Sequence, residues 1–166
     1  MNAFAVAILG YVTIERLAEL VLARTNTRRL LAKGATEHAA AHYPLIVAVH
    51  TLWLAALWFL ASGRAPDPFW LAMYVILQAA RLWVLATLGP RWTTRIITLP
   101  GEDLVRQGPY RFLNHPNYWV VIGEIAVLPL VFSLPWAALL FSVLNAAVLI
   151  VRVREENRAL SAVRRR

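Results

Sequence analysis

The chain contains no cysteine among its 166 residues. That excludes disulfides, cysteine-ligated zinc, iron–sulfur clusters and thiol catalysis. Charge is scarce too, at 16% of residues against 60% apolar, where soluble domains carry about 25% and about 45–50%. Such a chain is too apolar for disorder and too greasy to hide its hydrophobic residues in one soluble core. Only 7 glycines occur, and none builds the Gly-rich strand–turn–helix element of soluble nucleotide-binding folds. What the chain does have is 7 Trp and 5 Tyr, which suit a protein with two membrane–water interfaces. The formal net charge of +8 sits in short blocks between apolar runs. Topology and anionic lipid headgroups explain it better than nucleic acid, which is not expected as a partner.

A helix crossing about 30 Å of hydrocarbon needs about 20 mostly apolar residues. Five stretches qualify: Asn2–Ala23, Tyr43–Ser62, Pro68–Leu88, Pro116–Phe132 and Pro135–Val151. The first lacks a basic leader and a small-residue cleavage site, so it does not read as a cleavable signal peptide. The fourth and fifth are short and separated only by Ser133-Leu134, which predicts a tight αα-hairpin with Pro135 opening the return. Asn114 is a plausible cap for the fourth, with His115 and Pro116 at its start. Basic residues cluster in 24–42, 89–115 and the tail, while the 63–67 and 133–134 turns are poor in charge. That alternation predicts five crossings, with the N-terminus outside and the C-terminus in the cytoplasm. The expected fold is one all-α membrane domain: a three-helix part over 1–88, then a loop and hairpin over 89–166.

Charged groups at membrane depth are costly and mark either pairing or function. Glu15 and Glu19 share a helix face beside Arg16, roughly 6–12 Å from the cytoplasmic end of the first crossing. A structural ion pair and a part in substrate or cofactor binding both stay open for them. Arg81 in the third crossing is a partner for Glu15, Glu19 or Glu124, or a substrate contact. Glu124 stands alone in the fourth crossing and needs neutralising or a partner such as Arg81. His38 and His42 have helical metal-ligand spacing, but no third ligand follows, and interfacial histidines are the better reading; no metal is expected. His50 reads as a satisfied core histidine.

The segment Gly89–Asn114 is longer than a hairpin needs, and loops of that length are usually functional. It mixes Trp92, Thr93, Arg95, Glu102, Tyr110 and Arg111, and leads into a helix start whose free N–H groups favour anions. The last helix is expected to continue past the membrane through Arg152 and Glu156. Aromatic, imidazole, carboxylate and guanidinium groups thus gather at one cytoplasmic edge. That combination suits a zwitterionic ligand with an aromatic base, or simply a headgroup-anchoring belt.

The run Gly108-Pro109-Tyr110-Arg111-Phe112-Leu113-Asn114-His115-Pro116-Asn117-Tyr118, a hairpin, and then Arg152 to Leu160 with Glu155-Glu156 resembles the isoprenylcysteine carboxyl methyltransferase superfamily of integral membrane methyltransferases. The N-terminal half, through Glu15-Arg16-Leu17-Ala18-Glu19, Asn26, His42-Tyr43-Pro44, His50 and Arg91-Trp92-Thr93-Thr94-Arg95, looks like a bacterial branch that O-methylates alkylpyrones and alkylresorcinols. The resemblance implies a protein of the bacterial inner membrane. It implies S-adenosyl-L-methionine as methyl donor, S-adenosyl-L-homocysteine as product, and a lipophilic acceptor entering from the bilayer. It further implies that Tyr110, Arg111, His115, Pro116, Asn117, Tyr118, Arg152 and Glu156 line the cofactor site. Asn114 departs from the pattern, standing where a basic residue is common. Glu156 is preferred to Glu155 because it can pair with Arg152.

Methyl transfer from a sulfonium needs alignment, exclusion of water and removal of a proton, but no metal and no covalent intermediate. Arg81 or Arg95 is suited to easing ionisation of a phenolic acceptor; Glu15, Glu19, Glu124 and His50 are the candidate bases. A small proton-coupled exporter using Glu15 is the non-enzymatic competitor, and a phospholipid N-methyltransferase is a related one.

Overall fold

A computed structural model describes residues 2–40, 43–102 and 105–164. Five helices carry it: α1 (Ala3–Ala32), α2 (Tyr43–Leu60), α3 (Pro68–Leu88), α4 (Pro116–Val131) and α5 (Pro135–Arg164). Local chemistry explains their ends. The Asn2 side chain accepts from the Phe4 N–H at the start of α1. Asp67 accepts from Phe69 and Trp70 ahead of Pro68, which caps α3 and sets its first φ. α1 passes well beyond Ala23, because Arg24 to Ala32 contains polar residues but no helix breaker; it ends before Gly34, whose φ is +89°. α5 likewise runs on through its charged tail. Only three residues, Phe132 to Leu134, separate α4 from α5, with Ser133 at φ +55°.

Three of these helices are long and apolar enough to span a bilayer by length and composition: Tyr43–Leu60, Pro68–Arg91 and Pro135–Ala159. α4 has 16 residues, about 24 Å at 1.5 Å per residue. α1 has the length but carries its charges mid-helix. The five expected crossings therefore reduce to three on this criterion. α5 continues past Val151 through Arg152 and Glu156, as expected.

The fold departs from all-α in one place. Thr36–His38 (β1) and Ile96–Thr98 (β2) pair antiparallel, Glu37 opposite Ile97. This ladder joins the segment after α1 to the loop after α3. His38 donates to or accepts from Thr98 Oγ1 at 2.7 Å; His42, its expected partner in a metal-like pair, lies outside the described residues.

One apolar cluster draws on all five helices, with Leu9, Trp53, Tyr74, Leu128 and Phe141 among its members. Much of the outer surface is apolar too: Phe4, Ile14, Phe59, Leu82 and Leu139 are all exposed. Such a surface is stable against lipid and not against water. Between α1, α3 and α4 lies a buried ion cluster. Arg81 binds Glu19 through Nε and, at 2.7 Å, through Nη2; its Nη1 reaches Glu124 at 2.7 Å. Arg16 joins Glu19 at 3.1 Å and Glu124 at 2.7 Å, and Gln78 donates to Glu124 at 3.1 Å. Glu15 stands at the edge, with Oε2 buried and without a hydrogen-bonding partner among the described residues.

Two outcomes follow from this packing. Arg81→Met leaves two buried carboxylates short of a counter-charge and should cost about 3–5 kcal/mol, read as loss of thermal stability in detergent, whereas Arg154→Gln on the exposed tail should change little. Gly108 has φ +53°, and a Cβ there would lie 2.4 Å from Thr87 Oγ1. Gly108→Ala should therefore displace the loop, seen as faster proteolysis around 105–114 with the helices still folded.

Candidate functional site

The site is built where the loop between α3 and α4 meets the overhanging end of α5. The loop is fastened at its root. Asn26 of α1, 1% exposed, donates from its amide to the carbonyls of Gly89, at 3.2 Å, and Trp92, at 2.9 Å. Trp92 packs with Ala23 and Val84. Further along, Arg95 holds Glu37 at 2.7 and 2.9 Å and lies 4.8 Å above the Tyr43 ring. Arg91 pairs with Glu102 at 2.8 Å. A short 3-10 turn, Gly108–Arg111, then presents Tyr110. Burial first, and the Glu156 carboxylate second, push the Tyr110 phenol well above the ordinary tyrosine range. It stays a neutral hydroxyl and a donor at physiological pH.

The first turn of α4 faces α5 across the cavity's polar end. The rings of His115 and Tyr118 stack, centroids 5.2 Å apart and planes 18° apart. The Tyr118 hydroxyl donates to Glu156 and accepts from Arg152 Nε at 2.8 Å. His115 Nδ1 lies 3.5 Å from Glu156 Oε2, and its Nε2 lies 3.2 Å from Asn157 Oδ1. The Arg152 guanidinium carbon sits 5.6 Å from the Tyr118 ring centroid. Arg152 and Glu156, expected to pair directly, are bridged by the Tyr118 hydroxyl instead.

These groups open onto a cavity of about 830 Å³. Of the residues singled out from the sequence, Arg95, Tyr110, Arg111, His115, Asn117, Tyr118, Arg152 and Glu156 line it. Pro116 does not; it is buried at the first position of α4. Glu15, Glu19, Arg81 and Glu124 are not on the wall either, because their helices turn them toward one another in the ion cluster. Glu155 pairs with Arg158 on the outer side. Sequence reasoning assigned no site role to several wall residues, among them Ile96 to Leu99, Arg106 and Ser161. Only the mixed composition of the loop hinted at the first of these.

Chemically the wall offers a stacked aromatic pair, a carboxylate and a neutral phenol donor. It also offers two open polar groups. Asn117 Oδ1 is buried without a partner among the described residues. Arg152, 9% exposed, uses Nε on Tyr118, and its two Nη groups have no protein partner there. Among the described residues no three His, Cys, Asp or Glu side chains gather where they could hold a metal ion.

A Bacillus subtilis (strain 168) protein described as uncharacterized protein YpbQ is 37% identical over 158 residues, spanning 92% of this chain and 94% of its own length. A Haemophilus influenzae uncharacterized protein is 26% identical over 152 residues, spanning 88% of each. No solved structure matches the chain. The model of the isoprenylcysteine carboxyl methyltransferase (ICMT) family matches residues 70–162, which takes in most of α3, the loop, nearly all of the hairpin and the cavity wall apart from Leu30. An apolar helical membrane protein with this site, the chain belongs to the isoprenylcysteine carboxyl methyltransferase family.

Proposed function

We propose that the protein is an S-adenosyl-L-methionine-dependent methyltransferase of the bacterial inner membrane. In this reading it methylates an oxygen of a lipophilic acceptor at the cytoplasmic face, with alkylresorcinol- and alkylpyrone-type lipids as the first acceptors to try. The observation that carries it is the convergence of His115, Tyr118, Arg152 and Glu156 on one cavity. They come from the two ends of a hairpin in a family of methyltransferases.

The residues present fit such a cofactor. Stacked His115 and Tyr118 suit a planar base. Glu156 suits the positively charged groups, and the open Nη groups of Arg152 suit a carboxylate. Asn117 Oδ1 is a buried acceptor that wants a donor. When bound, the cofactor supplies an electrophilic methyl group with its leaving group already in place. What the chain must do is hold and orient. Tyr118 locks Arg152 and Glu156 into one arrangement before any ligand arrives, so little side-chain ordering is left to binding. The loop, tied down by Asn26 and by the ladder through β1, covers the cavity and excludes water. In this reading Glu15, Glu19, Arg81 and Glu124 belong to the scaffold and Arg95 to the wall.

Two measurements test the proposal. Calorimetric titration of the purified protein with S-adenosyl-L-homocysteine should saturate at one site. His115→Ala and Glu156→Ala should each weaken binding about 10-fold or more, in line with losing a charged or stacked contact of about 1.4 kcal/mol; the absence of binding to the unaltered protein would sink the reading. Membranes incubated with labelled S-adenosyl-L-methionine and an acceptor panel then identify the product. For topology, five crossings with the N-terminus outside predict that, in this cysteine-free chain, Arg64→Cys reacts with an impermeant thiol reagent in intact spheroplasts. Gly101→Cys should react only after lysis.

A further inference from the structure

The buried ion cluster is one charge short of balance. Glu15, Glu19 and Glu124 bring three carboxylates to it, against two guanidinium groups from Arg16 and Arg81. Glu19 and Glu124 are each held by both arginines. Glu15 is the remainder: its Oε2 is buried and has no hydrogen-bonding partner among the described residues. α2 and α5 bring His50 and Asn145 to the same region, and neither is a permanent cation.

Two more oxygens stand open beside it. Tyr74, Gln78 and Arg81 share one buried face of α3. Gln78 is 7% exposed and gives its Nε2 to Glu124, which leaves its Oε1 buried and unpartnered among the described residues. Tyr74 is 2% exposed, and its hydroxyl lacks a partner there too. The pairing fixes their heights. Glu19 meets Arg81 and, farther along both helices, Asn26 meets Gly89, so α1 and α3 run in the same direction. Measured back from the Glu19–Arg81 contact at about 1.5 Å per residue, Glu15 lies about 6 Å along α1, between Gln78 at about 4.5 Å and Tyr74 at about 10.5 Å along α3. The charges of Glu15 and Arg16 both reach the Tyr74 hydroxyl. Buried polar atoms without partners are rare, and a bound ion is one of the few reasons for a cluster of them.

We propose that Glu15 Oε2, Tyr74 Oη and Gln78 Oε1 form a site for an alkali cation between α1 and α3, one helical turn from the Glu19–Arg81 pair. Three oxygens, with no nitrogen or sulfur, suit a hard cation. Charge selects a monovalent one. A single positive charge brings the five ionised side chains to neutrality, whereas a divalent ion overshoots beside two guanidinium groups and asks for more oxygen ligands than the site has. Water ligating the ion can also serve Arg16 Nε, a buried donor without a partner among the described residues. Loaded, the site joins α1 to α3 a second time and completes the charge of the cluster that sets their relative height. It stands apart from the cavity, whose wall includes none of the three residues, and it does not depend on the methyltransferase reading.

The test is thermal unfolding of the purified protein in a neutral detergent, at one pH and one ionic strength, in sodium, potassium, lithium, calcium or choline chloride. At about ten times its dissociation constant, a bound alkali ion should raise the unfolding midpoint by about 3–6 °C over choline. Equilibrium dialysis with that ion should saturate at a single site. Glu15→Gln removes the surplus charge and keeps the bulk, so it should fold and lose the dependence on the alkali ion. Tyr74→Phe keeps the charge and should weaken the ion's binding; it carries the test if Glu15→Gln is not recovered folded. Equal midpoints in choline and all three alkali salts would overturn the site, as would an alkali effect that persists in Glu15→Gln. Stabilisation by calcium alone would overturn the monovalent assignment. Stabilisation through Glu15 on acidification in choline, with no response to any alkali ion, would make the occupant a proton and overturn the ion site.

Discussion

A charge placed at bilayer depth has no water to turn to, so it must find its partner inside the protein. That constraint organises this molecule. Glu19 and Glu124 come from helices far apart in sequence and are held by the same two arginines, Arg16 and Arg81. The cluster ties α1, α3 and α4 at one depth, where apolar packing alone would let them slide and rotate. Buried ion pairs add little net stability over an apolar alternative, but a broken one is expensive. Their contribution here is register: the two arginines meet both Glu19 and Glu124 only when the three helices stand at matched heights.

Register set by the ion cluster is inherited by the end of the bundle that carries the loop. α3 leads from Arg81 through Val84 to the turn at Gly89, and α1 carries Asn26 to the same place. The root of the loop is therefore gripped between two helices whose heights the ion cluster has already set. The ladder of β1 with β2, the Arg95–Glu37 pair and the Tyr43–Thr94 hydrogen bond at 3.1 Å extend that grip outward. The cavity is thus walled on one side by a loop with several fastenings rather than by a free flap.

Much of this was legible in the sequence, unevenly and for physical reasons. The limits of α3 came out to the residue, because Asp67-Pro68 and Gly89 are strong start and stop signals. The far end of α1 did not, because hydropathy reports where lipid ends and not where a helix ends. Charges within the helices announced themselves, but their pairing depends on helix rotation, which one sequence leaves open. The β ladder has three residues a side, too few for an alternation to register. For the site, the family motif brought His115, Tyr118 and Glu156 forward together. The direct Arg152–Glu156 contact expected from their spacing was displaced by a phenol 34 residues away from Arg152, which no local rule contains. Arg106 carried no motif at all.

The three-residue turn between α4 and α5 has a consequence of its own. Measured from it, the first residue of α4 and the charged extension of α5 are opposite ends of the same ruler, one descending as the other rises. Each residue of α-helix advances about 1.5 Å and rotates about 100°. Adding or deleting a single residue in the turn or in α5 would swing Glu156 to another side of its helix, off the His115–Tyr118 stack, while changing no side chain that lines the cavity. The spacing between Pro116 and Glu156 is in that sense a functional element, as exacting as any of the residues it aligns.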